Sequence, residues 1–155
     1  MPKVIVVYES KYGNTKRAAE TIIEGMKEIS GIEAVLSEPR AVDKSKLADF
    51  DAIVIGSPTH IGSATRGIRK FVGNLGKLKL DGKLVAIFAL HMEPEIGRVV
   101  GKLEKQIGEK APGLKIAVPG LSIRVEGMKG PIAEGELPKC KEFGVKIATQ
   151  LKDQA

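Results

Sequence analysis

The stretch Val6-Val7-Tyr8-Glu9-Ser10-Lys11-Tyr12-Gly13-Asn14-Thr15, with the segment it opens, decides the fold. Residues 3–8 (Lys-Val-Ile-Val-Val-Tyr) form a short β-branched run, the pattern of a strand buried on both faces. Ser10, Gly13, Asn14 and Thr15 are small, polar and turn-tolerant. Ala18, Ala19, Ile22, Ile23, Met26 and Ile29 then recur at steps of three and four, as on one face of a helix. A strand that runs through a hydroxyl-rich loop into a helix N-terminus builds an anion site. The first N–H groups of the helix lack partners, and the helix dipole adds partial positive charge. Ser10 and Thr15 bring hydroxyls, and Gly13 permits close backbone approach. Phosphate is the group such a loop suits. The plainer reading, in which Ser10, Asn14 and Thr15 only cap the helix, competes with it.

Outward from this stretch, strand-like and helix-like segments alternate. Further strands are expected at 32–37, 51–56, 84–90 and from Lys115 through Val118. Helices are expected at about 65–75, 95–110 and 138–152, with a short one over 44–48. Gly31 is expected to close the first helix as a C′ glycine. Pro119-Gly120 bends the fifth strand. Residues 121–126 alternate, with Ile123 and Val125 on one face and Ser122, Arg124 and Glu126 on the other, as in a half-exposed edge strand. Residues 126–138, rich in Gly and Pro, read as a surface loop. Leu137, Cys140, Phe143, Ile147 and Leu151 make the buried stripe of the last helix, with Cys140 a small core residue rather than a reactive thiol. Apolar strands alternating with amphipathic helices imply a parallel sheet covered on both faces. No composition shift divides the chain, so one domain over 1–155 is expected.

Three loops leave the carboxyl ends of strands 1, 3 and 4, at 10–15, 57–63 and 90–94. The second, Ser57-Pro58-Thr59-His60-Ile61-Gly62-Ser63, has little charge and many backbone constraints. It suits a flat ring held by backbone hydrogen bonds better than a phosphate. Alone, Ser57-Pro58-Thr59 reads as a turn with an N-cap.

An aliphatic pair followed by Tyr8, Ser10, Gly13, Thr15, Ala19 and Ile22 resembles the opening of the flavodoxin family, and Ser57-Pro58-Thr59 resembles that family's second flavin loop. The stretch Cys140-Lys141-Glu142-Phe143-Gly144 is similar to the flavodoxin domain of flavodiiron proteins, whose di-iron half this chain lacks. The resemblance implies an α/β, flavodoxin-like three-layer sandwich, with a five-stranded parallel sheet of order 2-1-3-4-5 and helices on both faces. It implies FMN as cofactor. The phosphate would lie on Ser10, Lys11, Tyr12, Gly13, Asn14 and Thr15. The ring would lie on Ser57, Pro58, Thr59, His60, Ile61 and Gly62 and on Leu90, His91 and Met92. It further implies that the Ile61–Gly62 peptide turns its carbonyl toward the flavin N5, a movement open only to a residue without Cβ.

The chain departs from the family pattern in two respects. It has no Trp, and its third loop has no aromatic beyond His91, so His60, Ile61, His91 or Met92 would flank the ring. As isolated loop residues, His60 and His91 read equally well as histidines with no role. Many flavodoxins are also acidic, whereas Lys11, Lys16, Arg17, Arg66, Arg69 and Lys70 surround the expected site here. That charge favours an anionic reduced flavin and a higher second-electron potential than in acidic relatives. It also favours redox partners, a reductase and an acceptor, that present an acidic face. Arg66 and Lys70 read equally as a solvated helix face.

Composition narrows the remaining choices. The 155 residues carry a formal charge of +6, but lysines are spread among glutamates and aromatics make up only 4%, which disfavours a nucleic-acid binder. One cysteine and two histidines leave no disulfide and no dedicated metal centre. The longest apolar run, Leu84 to Leu90, is too short to span a bilayer, and no leader is visible, so a cytoplasmic protein is expected. Glu9-Ser10 and Ser57-Pro58 stand where a receiver domain needs acidic groups. No nucleotide-binding glycine motif or hydrolase elbow is present. Three readings remain. The first is an FMN electron carrier. The second is an FMN-dependent oxidoreductase of quinone reductase or protoporphyrinogen oxidase type. The third is a scaffold that binds no flavin. No side chain stands out as a catalytic acid or base.

Overall fold

Buried β-branched runs organise the computed structural model, which describes residues 1–154. Strand β1 (Lys3–Tyr8) pairs in parallel with β2 (Glu33–Ser37) on one side and with β3 (Ala52–Pro58) on the other. Next to β3 lies β4 (Leu84–His91), whose residues are all buried. The fifth position is shared by two short pieces, β5 (Lys115–Ile116) and β6 (Leu121–Arg124), both parallel to β4. The sheet order is therefore 2-1-3-4-5, with the last strand broken where Pro119 and Gly120 intervene.

Four helices cover the sheet: α1 (Asn14–Lys27), α2 (Arg66–Leu75), α3 (Arg98–Lys110) and α4 (Glu136–Gln154). Alternate residues of the strands feed two apolar layers. Val4, Val6, Ala86 and Phe88 pack with α1 and α4, and Ile5, Val7, Ile53 and Ile87 pack with α2 and α3. Gly56 opposes Phe88 across the β3–β4 pair, and a Cβ at Gly56 would overlap the fully buried Phe88 ring. Helices α1 and α4 touch backbone to backbone. A Cβ at Gly25 would overlap the Lys141 carbonyl, and one at Gly144 would overlap the Ile22 carbonyl.

The element boundaries depart from the sequence expectations at several points. Helix α1 stops at Lys27, and Gly31 (φ 84°) belongs to the turn before β2 instead of the helix cap. Residues 44–49 form a 3₁₀ helix, with Asp43 capping through Ser45. Helix α3 begins at Arg98, after the left-handed Gly97 (φ 78°), and not near Glu95. Helix α4 begins at Glu136, which takes the buried place in its first turn, while Leu137 is only partly covered. Strand β3 extends to Pro58 and β4 to His91, so Ser57, Pro58, Leu90 and His91 end strands instead of opening loops.

Candidate functional site

The loops after β1, β3 and β4 emerge side by side, because these strands are neighbours and parallel. In the first loop Gly13 adopts φ 91°, a conformation that favours glycine, and forms the N-cap position of α1. No side chain caps this helix, so its first-turn N–H groups face the loop without an internal acceptor. The Ser10 hydroxyl accepts from the Gly13 N–H (3.0 Å) and closes the loop. Thr15, 1% exposed, lies in the first turn, while Lys11 and Tyr12 stand outside. The Lys11 and Lys129 ammonium groups lie 5.5 and 5.9 Å from the centre of the Tyr12 ring. The Asn14 amide donates to the Lys129 carbonyl (3.0 Å). A Cβ at Gly130 would meet that amide, so the 127–131 turn is seated on the first loop.

Helix α2, at the same edge of the sheet, is built differently. The Thr65 hydroxyl accepts from the Ile68 N–H (3.4 Å) and donates to the Glu9 carboxylate. That carboxylate fills the space a Cβ would need at Gly67, in the first turn of α2. The chain's own anion thus already occupies the α2 N-terminus. Thr65 is recognisable in the sequence as a helix start, but nothing local links it to Glu9, 56 positions away.

The second loop is tied down by its own polar groups. Ser57 is fully buried; its hydroxyl donates to the Pro58 carbonyl (2.7 Å) and accepts from the Thr65 N–H (3.0 Å). The Thr59 hydroxyl donates to the Leu90 carbonyl (2.7 Å) and joins the loop to the end of β4. His60 and Ser63 exchange two backbone hydrogen bonds, 2.7 and 3.1 Å, around a two-residue turn. Both central residues have positive φ, 49° at Ile61 and 73° at Gly62, which defines a type I′ turn. Ile61 is 92% exposed at its tip. The Lys102 ammonium on α3 donates to the Gly62 carbonyl (2.8 Å) and the Ser63 hydroxyl (3.1 Å).

In the third region, Leu90 packs into the core, and Met92 is 38% exposed. His91 is enclosed, at 3% exposure, on the same sheet face as Ala89. Its Nδ1 lies 3.2 Å from the Met92 carbonyl. A carbonyl only accepts, so Nδ1 is the donor in this contact, and Nε2 is buried with no partner among the described residues. Of the four residues expected to flank a ring, His60, Ile61 and Met92 are open to the surface and His91 is not.

On the α2 side of the first two loops lies a groove of about 1260 Å³. Lys11, Arg40, Lys44, Arg66, Arg69 and Lys70 line it, against Glu9 and Glu38. Arg69 donates from Nε to the Ala64 carbonyl. Among the described residues, the other five cations make no ion pair. Behind the sheet, burial opposes ionisation of Glu136. The Arg124 N–H (2.7 Å) and the Lys139 ammonium (2.9 Å) outweigh it and hold the carboxyl below its ordinary value. Burial, and then the charge of Glu136, push the Cys140 thiol up to about 12, so this thiol is inert at neutral pH.

The flavodoxin domain family matches residues 5–118, so the chain belongs to the flavodoxin family, whose cofactor is FMN. It is 34% identical over 87 residues to a flavodoxin of Clostridium saccharobutylicum, a match covering 56% of this chain and 54% of that protein. It is 35% identical over 107 residues to an NAD(P)H dehydrogenase (quinone) of Geotalea daltonii, covering 54% and 52%. The chain thus spans about half the length of the curated relatives it matches. A solved flavodoxin from the domain Archaea superposes with a TM-score of 0.82 at 27% identity, covering 97% of this chain and 99% of that one. No helix among the described residues is long and apolar enough to cross a membrane, and no metal-binding cluster of His, Cys, Asp and Glu occurs among them.

Proposed function

We propose that this chain is an electron carrier of the cytoplasm, acting as one flavodoxin-like domain over 1–155, that holds FMN in the loops after β1, β3 and β4. The observation that carries this reading is the open α1 N-terminus, uncapped behind left-handed Gly13 and flanked by Ser10 and Thr15 in the family's motif. Bound FMN would supply the redox chemistry. The residues bind and orient it: the α1 N–H groups, Ser10 and Thr15 receive the phosphate, and Lys11 adds charge beside it. Thr59 fixes the second loop against β4, and His60, Ile61 and Met92 offer side chains at the ring end.

The groove beside these loops supports a redox partner with an acidic face, since its unpaired cations would steer such a surface toward the cofactor. The same cations favour a second-electron potential above that of acidic flavodoxins; a potential as low as theirs contradicts this. An alternative, an FMN-dependent oxidoreductase, is favoured by the similarity to the quinone-reducing dehydrogenase. The test is a visible spectrum of the purified protein with and without FMN. Stoichiometric binding with a perturbed spectrum is expected. Failure to bind would reduce Ser10, Thr15 and Thr59 to turn residues. Turnover of NAD(P)H with a quinone, with no separate reductase, would select the oxidoreductase.

A further inference from the structure

We infer that the Ile61–Gly62 turn is a locked element, not a moving one, and that Lys102 is the positioning residue that clamps it. This rests on the FMN reading above, and it reverses the carbonyl movement that the family resemblance implies for this peptide. The turn is of type I′, with both central residues at positive φ. Turning over its central peptide produces type II′, whose first central position combines positive φ with an extended ψ and is filled by glycine. Here that position holds Ile61, a β-branched residue already unusual at φ 49°. The glycine occupies the second position, where it relieves the present turn and not the inverted one.

The flanking groups close the other routes. His60 and Ser63 exchange both backbone hydrogen bonds. Lys102, one turn into α3, holds the Gly62 carbonyl and the Ser63 hydroxyl together. Arg98, paired with Glu95 at 3.2 Å, stands 3.1 Å from where a Gly62 Cβ would be. Ile61 itself is exposed, so core packing does not impose its conformation; these bonds do. With the peptide fixed, the protein has no carbonyl to offer differently to the oxidised and reduced cofactor at this turn. The first and second electrons then enter at similar potentials, and only a minor share of the flavin stands at the one-electron level at half reduction.

The test is stepwise anaerobic reduction of the FMN-loaded full chain, comparing wild type with Ile61→Gly and with Ile61→Gly/Lys102→Met. Because a residue held in a glycine-only conformation shifts an equilibrium by roughly tenfold or more, Ile61→Gly is expected to raise the one-electron share until it dominates, and the double variant to raise it further. A wild type that already holds most of its flavin at the one-electron level overturns the inference, as does an Ile61→Gly variant indistinguishable from it. The clamp is read separately, without flavin, from amide exchange at Ser63. Lys102→Met, which removes both charge-assisted bonds, should speed it by about tenfold or more, and Lys102→Arg should restore it. Unchanged exchange in Lys102→Met overturns the clamp. A wild type that takes up no FMN defeats the FMN reading instead, and the exchange data still decide on Lys102.

Discussion

Two helix N-termini stand at the same edge of one sheet, and they differ in what fills them. The first turn of α1 has no side-chain cap, and a glycine leads into it. The first turn of α2 is capped by Thr65 and carries the Glu9 carboxylate against Gly67. Both offer unpaired N–H groups and a favourable dipole. One has its own hydroxyl cap with the chain's own carboxylate lodged beside it, and the other has neither. A helix start in this fold is therefore not a ligand site by default. The same contrast separates the loops: the second uses Ser57, Thr59 and Lys102 to hold its own shape, while the first is closed by Ser10 and tied to the 127–131 turn through Asn14.

Removing the α2 cap, which also holds the internal anion, is the most direct way to break the comparison. Thr65→Val deletes the α2 cap and leaves Glu9 without its hydroxyl partner, which should cost about 2–3 kcal/mol of stability in denaturant unfolding. A loss under half a kcal/mol would mean that the Glu9–Thr65 pair contributes little. Gly13→Ala tests the other helix. A left-handed alanine costs about 1–2 kcal/mol, so FMN affinity or stability should fall by roughly tenfold, measured by flavin titration and by melting. Glu9→Ala should make α2 behave like α1: added inorganic phosphate would raise its melting temperature more than that of the wild type. Equal shifts would show that the carboxylate was not excluding anions there.

The acid limb of stability is a smaller effect. Glu136 has a folded value below its ordinary 4.5, so its contribution is complete above that value and is lost as pH falls through the folded one. Glu136→Gln should flatten the decline in unfolding free energy as pH falls below 4.5, and an unchanged slope would assign the decline elsewhere. The Cys140 thiol, with its raised value, should react with a disulfide reagent at pH 8 only once the chain is unfolded.

The parts of this structure legible in the sequence were those set by local pattern. The run from Val4 to Tyr8, the helical spacing of Ala18 to Met26 and the Ser10–Thr15 spacing each encode their own conformation, and alternation of the elements implied the parallel sheet. What escaped was long-range. Glu9 meets Thr65, Asn14 meets Lys129, and Lys102 meets Gly62, across 56, 115 and 40 positions, and no periodicity links them. The enclosure of His91 escaped for a related reason. Its position at a loop entrance reads as surface, but β4 continues one residue further and carries the ring inside. Positive φ at Ile61 was also hidden, because a β-branched residue is the last one that propensity places there.

The central claim is that the α1 N-terminus is open because it receives a phosphate. The measurement that tests it most directly compares the affinities of the flavin-free protein for FMN and for riboflavin, which differ only in that group. The account predicts FMN binding tighter by on the order of a hundredfold or more, as expected for several charge-assisted N–H and O–H bonds to one anion. Equal affinity for the two flavins would contradict it.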